Sequence, residues 1–309
     1  MGNKVFGLVV FLLWASSMSW LTMAKILPAY LHGDAPSRGL SSKSLPVGWG
    51  IELGGRSCGV AVTQTVDGVD QVKEIHSRVL LDGVSLDSIA PQWMQALIKG
   101  LGQIRLDMRN KSTLDSFGNL ATIASRVNLN EMESVVRVDG HVGDGKLKLR
   151  IRSGEISRLV EYPWQDGDLM GELTPESVML QAYVGRTWRS EAYSPFASPH
   201  DPVELVEARV VEEEDLLFDQ RLTRTRRVEY RSVSAAGVSS RNRLRSVVWV
   251  AEDGRVLRQD VYFLNTRLRF TRLSDEESVA VADEHLELDR YASVTTPRAA
   301  AGRRSAPAP

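Results

Sequence analysis

The chain of 309 residues has one cysteine, Cys58, so it cannot form an internal disulfide. Its five histidines, His32, His76, His141, His200 and His285, are scattered, and none has a second ligand at metal-binding spacing. Gly-x-Ser-x-Gly and His-Glu-x-x-His stretches are both absent, which removes two recognisable hydrolase signatures. Neither sign of charge dominates, and a net charge of -1 gives no global attraction to a polyanion. These absences favour a protein that is not an enzyme, with no catalytic residue, no metal, no cofactor and no nucleic-acid partner.

What the chain does have is a long apolar run near its start. Residues 5–24, VFGLVVFLLWASSMSWLTMA, carry no charge, and at about 1.5 Å per residue they would reach about 30 Å, the thickness of a bilayer's hydrocarbon core. The expectation is a single transmembrane helix acting as a signal anchor within residues 1–30, with Lys25 snorkelling and Trp20 and Tyr30 near an interface. A cleaved signal peptide, cut near Ala15-Ser16-Ser17, is the competing reading, and it fits less well because Met18, Trp20, Leu21, Met23, Ile26 and Leu27 prolong the run. Lys4 precedes the run while Lys25, Arg38 and Lys43 follow it, so charge does not set the orientation. Export is argued from the short N-terminal tail.

Residues 31–46 are rich in Gly, Ser and Pro and read as a flexible linker. Residues 47–275 read as one β domain, and residues 276–309 as a short acidic segment followed by a Pro, Ala and Arg tail that composition predicts to be disordered. Hydrophobic content of 43% and charged content of 25% are those of an ordinary globular protein.

Strand signals dominate the domain. Trp49, Ile51 and Leu53 alternate, Gly54-Gly55 interrupts, and Cys58, Val60 and Val62 resume in the opposite phase, which predicts a hairpin or a bulge. Cys58 then reads as a small buried apolar residue and not a reactive thiol. Ile75, Ser77, Val79 and Leu81 alternate with His76 and Arg78 on the other face. Asp115 to Gly118 and His141 to Gly145 read as turns. Lys146-Leu147-Lys148-Leu149-Arg150-Ile151-Arg152 alternates without error, one face apolar and the other bearing four cations. Those cations read as a solvated outer face that discourages edge-to-edge aggregation, in preference to contact with lipid headgroups. Thr174-Pro175-Glu176 resembles a helix start, Glu212 to Asp215 an acidic turn, and Leu222 to Arg231 a basic strand that pairs with the acidic run. Asp253-Gly254 sits at the tip of a hairpin whose second arm, residues 256–273, changes phase near Leu264-Asn265 and predicts a bulge.

One segment changes period. Asp87 supplies a cap and Pro91 an early proline, and apolar residues at Ile89, Trp93, Leu97 and Leu101, with Met94 and Ile98 beside them, predict a helix that Gly100 and Gly102 end. Its stripe is either core or a lid over an apolar cavity.

Trp49-x-Ile51-x-Leu53-x-Gly55-x-x-Cys58-Gly59, the Gly185-x-Thr187-Trp188 segment and the Asp253-Gly254-x-Val256-Leu257 hairpin resemble a group of uncharacterised bacterial membrane-anchored envelope proteins. That group is similar to the N-terminal domain of some transglutaminase-like proteins and to the lipoprotein-carrier half-barrel. The resemblance implies a mainly β fold: a strongly curved antiparallel sheet with one or two packed helices, preceded by the transmembrane helix. It places the chain in the bacterial inner membrane as a single-pass protein, its C-terminal domain outside the cytoplasm. The expected function is a membrane-tethered periplasmic domain that binds a lipid, an acyl chain, a lipoprotein or a membrane-protein partner. The candidate lining is Trp93, Met94, Leu97, Ile98, Leu101, Ile123, Val136 and Leu149. An assembly subunit of a membrane complex such as a transporter is the first alternative, and a hydrolase assembled from distant residues the second.

Overall fold

The computed structural model describes residues 2–21, 45–68, 72–85, 102–164, 170–171, 174–193, 203–233, 244–263 and 266–286. Helix α1 (Gly2–Leu21) is followed by β1 (Val47–Leu53), β2 (Arg56–Asp67), β3 (Lys73–Ser85), β4 (Gln103–Leu114), β5 (Leu120–Leu129), β6 (Met132–Gly143), β7 (Lys146–Ser153) and β8 (Ile156–Pro163). Then come β9 (Met170–Gly171), β10 (Thr187–Tyr193), β11 (Val203–Phe218), β12 (Arg221–Ser232), β13 (Leu244–Ala251), β14 (Val256–Phe263), β15 (Thr266–Arg272) and α2 (Asp275–His285).

All fifteen strands belong to one sheet, ordered β8-β7-β6-β5-β4-β3-β2-β1-β15-β14-β13-β12-β11-β10-β9. Every neighbouring pair is antiparallel except β9 with β10. Consecutive strands are mostly consecutive neighbours, the simplest result of short turns joining alternating segments. At the β6–β7 turn Asp144 and Gly145 both have positive φ, 55° and 67°. That turn suits the right-handed twist of the arms it joins, and the Asp-Gly pair tolerates it.

Alternation decides which side chains go inward. Trp49, Ile51, Met108, Val127, Val138, Leu149, Trp188, Val228, Val248 and Phe270 belong to one apolar cluster on the inner face. A smaller cluster of Leu216, Val247, Trp249, Ala251 and Leu257 lies on the other face, so β13 is apolar on both sides. There the Arg258 guanidinium sits 3.9 Å from the Trp249 ring centroid, and buried Asp260 accepts two hydrogen bonds from Arg269 at 2.9 and 3.0 Å.

Helix α2 packs on the outer face of β1 and β2. Ser274 caps it, with a reciprocal bond to Glu277. Gly48 makes the close approach possible: a Cβ there would stand 3.0 Å from the Ser278 backbone and 3.1 Å from Leu273 Cδ1. The Gly48 N–H donates to Ser278 Oγ at 2.9 Å. Val62, opposite Gly48, is therefore buried under the helix instead of in the main core.

Several expectations are corrected. The half-barrel reading fails because the sheet ends at β8 and β9, which do not pair with each other among the described residues; it is neither closed nor wound into a strongly curved half-barrel. No helix among the described residues is long and apolar enough to cross a membrane. Helix α1 begins with Gly2, Asn3 and Lys4 and carries Ser16, Ser17 and Ser19 in its second half. Its unbroken apolar part, residues 5–15, covers only about 16 Å, against about 30 Å of hydrocarbon. The transmembrane helix, the signal anchor, the tether to a membrane with its lipid, lipoprotein or membrane-protein partners, and the single-pass inner-membrane location all rested on that span and are withdrawn with it.

Smaller corrections have local causes. Residues 174–180 form no helix but run extended across the inner face, with Val178 bridging to Arg255 and Glu176 accepting from the Tyr230 hydroxyl at 2.8 Å. The acidic run 212–215 lies inside β11, and the turn comes later, at Asp219 and Gln220 with positive φ. The second arm is two strands and not one, since β14 and β15 pair antiparallel with each other; the bulge expected at Leu264-Asn265 lies outside the described residues.

Replacing Gly48 with Val should lower the unfolding free energy by roughly 1–3 kcal/mol, because the nearest atom in the way is the Ser278 Cα, which cannot swing aside as a side chain can. Thermal melting reads the loss, and amide exchange should rise first in α2. Unchanged exchange in α2 would disprove the packing.

Candidate functional site

The candidate site is a cleft of about 190 Å³ on the outer face of β3, β4 and β5, bounded on one side by the C-terminal end of α2. His76, Arg78, Arg109, Lys111 and Arg126 line it, with His285 and Leu286 from the helix end. Its floor is Ala124. This residue faces Lys111 on one neighbouring strand and Asp139 on the other, so a methyl group stands where surrounding positions carry long side chains. A small side chain among long ones leaves space between them.

The register brings the cations together. Arg78 is opposite Arg109, Arg109 opposite Arg126, Arg126 opposite Arg137, and Arg137 opposite Arg152. Five consecutive strands, β3 to β7, thus carry arginine at one level of the outer face. Neighbouring strands lie about 4.8 Å apart, so the row is about 19 Å long. Like charges directly opposite destabilise a sheet, and the chain offsets this with two carboxylates. Asp107 accepts from Arg78 Nε and Nη2 at 2.8 and 2.7 Å and from Arg109 Nη2 at 3.1 Å. Asp139 accepts from Arg152 at 2.7 Å and from Arg137 at 3.0 Å. Arg126, in the middle, makes no ion pair among the described residues.

Titration follows from these contacts. Burial alone would raise the Asp107 carboxyl, yet its hydrogen bonds from Arg78 and Arg109 hold it below the usual carboxylate range. Asp139 is likewise held down against burial by Arg152 and Arg137. Burial pushes His76 below the ordinary imidazole value, although its bond to Glu74 works the other way. Burial works to raise Glu74, and hydrogen bonds from Lys111 and His76 overcome it. Near the cleft entrance Arg78 Nη1 donates to the His285 carbonyl at 2.8 Å, a cation on the negative end of α2.

The expected lining is only partly described. Ile123, Val136 and Leu149 are buried in the inner-face core, while Trp93, Met94, Leu97, Ile98 and Leu101 lie outside the described residues. The cleft is on the opposite face from those three. Cys58 is half-buried beside the core, and burial, with Glu52 nearby, pushes its thiol up to about 11, the setting of an inert group. The acidic and basic runs of β11 and β12 pair across strands, Glu213 with Arg224 at 2.9 Å and Glu212 with Arg227 at 2.8 Å. No group of three His, Cys, Asp or Glu able to hold a metal occurs among the described residues.

Sequence reading missed Arg109, Arg126, Arg137 and Ala124. The visible signal was an arginine on the polar phase of each strand. Only pairing shows that they align.

Acid should destabilise the fold around this site. A histidine depressed in the folded state favours the neutral form, so its contribution is present above the unfolded value near 6.5 and falls as pH drops below it. Glu74 and Asp107, also depressed, lose their contributions at still lower pH, with the same sign. Urea midpoints measured at falling pH should decline from about 6.5, and His76→Gln should flatten the first part of that decline; an unaltered curve would remove His76 as its cause.

No family model matches the chain, and no curated protein does. Among solved structures it is similar to a β-barrel-like protein of the domain of unknown function DUF1849 from Brucella abortus, with a TM-score of 0.48 and 9% identity over 74% of this chain and 95% of that one. The likeness is a distant one of β-sheet architecture, and it does not extend to the transglutaminase-like or lipoprotein-carrier families.

Proposed function

We propose that this chain is a binding protein without enzymatic activity, and that it takes up an anionic phosphate group in the cleft above Ala124. The observation that carries this reading is the uncompensated Arg126, flanked on the adjoining strands by Arg109 and Arg137. Arg78, Arg109, Lys111 and Arg126 face the cleft; among the described residues Asp107 pairs with Arg78 and Arg109, Glu74 pairs with Lys111, and Arg126 has no carboxylate partner. A guanidinium presents a planar fork of donors that matches phosphate oxygens. Binding an anion would relieve the repulsion that the row builds into the sheet.

Kinship with the domain that precedes some transglutaminase-like proteins belongs to this proposal as ancestry of scaffold alone. The Trp49 hairpin and the Asp253-Gly254 turn, both of which form, support it. It contributes no residue to the cleft.

Pyrophosphate titrated into the full chain at low salt, followed by calorimetry, should bind saturably and weaken as salt is added. Arg126→Ala should cost about tenfold in affinity, the worth of one charge-assisted hydrogen bond. Ala124→Leu should abolish binding by filling the floor while leaving every cation in place. Absence of saturable binding, or affinity indifferent to both changes, would refute the proposal.

A further inference from the structure

Resting on that reading, we infer that the cleft is one end of a longer track, and that the ligand is a flexible linear chain of phosphates lying across strands β3 to β7 along the five arginines. The row leaves the cleft at Arg126 and continues through Arg137 and Arg152, neither of which lines it. Arg150 and Lys148 extend the positive face along β7, beside the row. Each of two carboxylates bridges a pair from beside the row, Asp107 the first two arginines and Asp139 the last two, on opposite sides of it. Among the described residues Asp107 and Asp139 are the carboxylates paired with the row, and Arg126 at its middle has none, so the positive charge is spread along a line instead of gathered at a point.

Spacing selects among polyanions. Adjacent arginines are set by the strand separation, about 4.8 Å. An extended acidic peptide lying along the row would present same-face carboxylates about 6.7 Å apart, out of step after two positions. A phosphate chain has a short, torsionally flexible repeat and can offer an oxygen wherever a guanidinium stands. Single-stranded nucleic acid is bound by stacking bases on aromatic rings, and β3 to β7 contain no Phe, Tyr or Trp. The surface reads charge and nothing else.

The test compares pyrophosphate, tripolyphosphate and long-chain polyphosphate on the full chain by calorimetry at one salt concentration. Affinity should rise with length, with the long chain at least about tenfold tighter than pyrophosphate, because later contacts become intramolecular. The double change Arg150→Gln with Arg152→Gln, on the strand farthest from the cleft, should remove most of that gain and leave pyrophosphate binding as it was. Asp139→Asn, which releases Arg137 and Arg152 from their counter-ion, should tighten the long chain several-fold, an effect that a folding defect cannot imitate. Pyrophosphate binding with no dependence on length would overturn the track and leave the cleft standing. If neither probe binds, both proposals fall. Polyglutamate or oligothymidylate of equal charge, binding as tightly as polyphosphate, would overturn the assignment to a phosphate chain.

Discussion

Everything in this molecule follows from one constraint of antiparallel pairing: residues opposite each other on neighbouring strands must face the same way. With Trp49 and Ile51 directed inward, the residues opposite them face inward too, and pairing carries one apolar inner face from Leu149 on one side to Trp188 on the other. The outer phase follows in the same way, and in β3 to β7 it is filled by charge. Burial of the apolar side is worth about 25 cal/mol per Å², which is ample to hold like charges together on the opposite side. The arginine row is thus sustained by the core beneath it.

The outer face is not uniform, and the differences lie in side-chain size. Gly48 lets α2 settle on β1 and β2, and the helix brings its C-terminal end to the margin of the row. Arg78 then serves two acceptors, the Asp107 carboxylate and the His285 carbonyl. Ala124 opens the floor between that helix end and the uncovered part of the row. A cleft results because three strands carry long polar side chains around one methyl group. On the far half of the sheet the same outer face is handled differently. There Glu212 and Glu214 of β11 both meet Arg227 of β12, at 2.8 and 3.8 Å, and a second apolar cluster covers β13. Charge there is paired across strands, whereas in β3 to β7 Arg126 is left without a carboxylate partner among the described residues.

The resemblance to envelope proteins drew attention to the inner face and to the helix predicted over residues 87–101. The described part of that face holds the extended segment around Glu176, hydrogen-bonded to Gln259 and Tyr230. From sequence alone the polar phase of Lys146 to Arg152 reads as ordinary solvated surface. For that strand taken alone the reading is reasonable, since one strand of alternating cations says nothing about its neighbours.

The sequence by itself determined the class of structure: alternation made strands, Asp-Gly and Gly-Gly pairs made hairpins, and Ser274 with Glu277 made the helix cap. It also contained one step of the row, because counting outward from the Asp144-Gly145 turn sets Arg137 opposite Arg152. The other steps were decided only in the tertiary structure. Register shifts between Leu81 and Val84, between Thr113 and Leu114, and between Val127 and Leu129 bring Arg78, Arg109 and Arg126 to one level. A shift of one residue turns every side chain beyond it to the other face, and whether a strand takes it depends on how its neighbours pack. That information belongs to pairs of strands, and no single strand contains it.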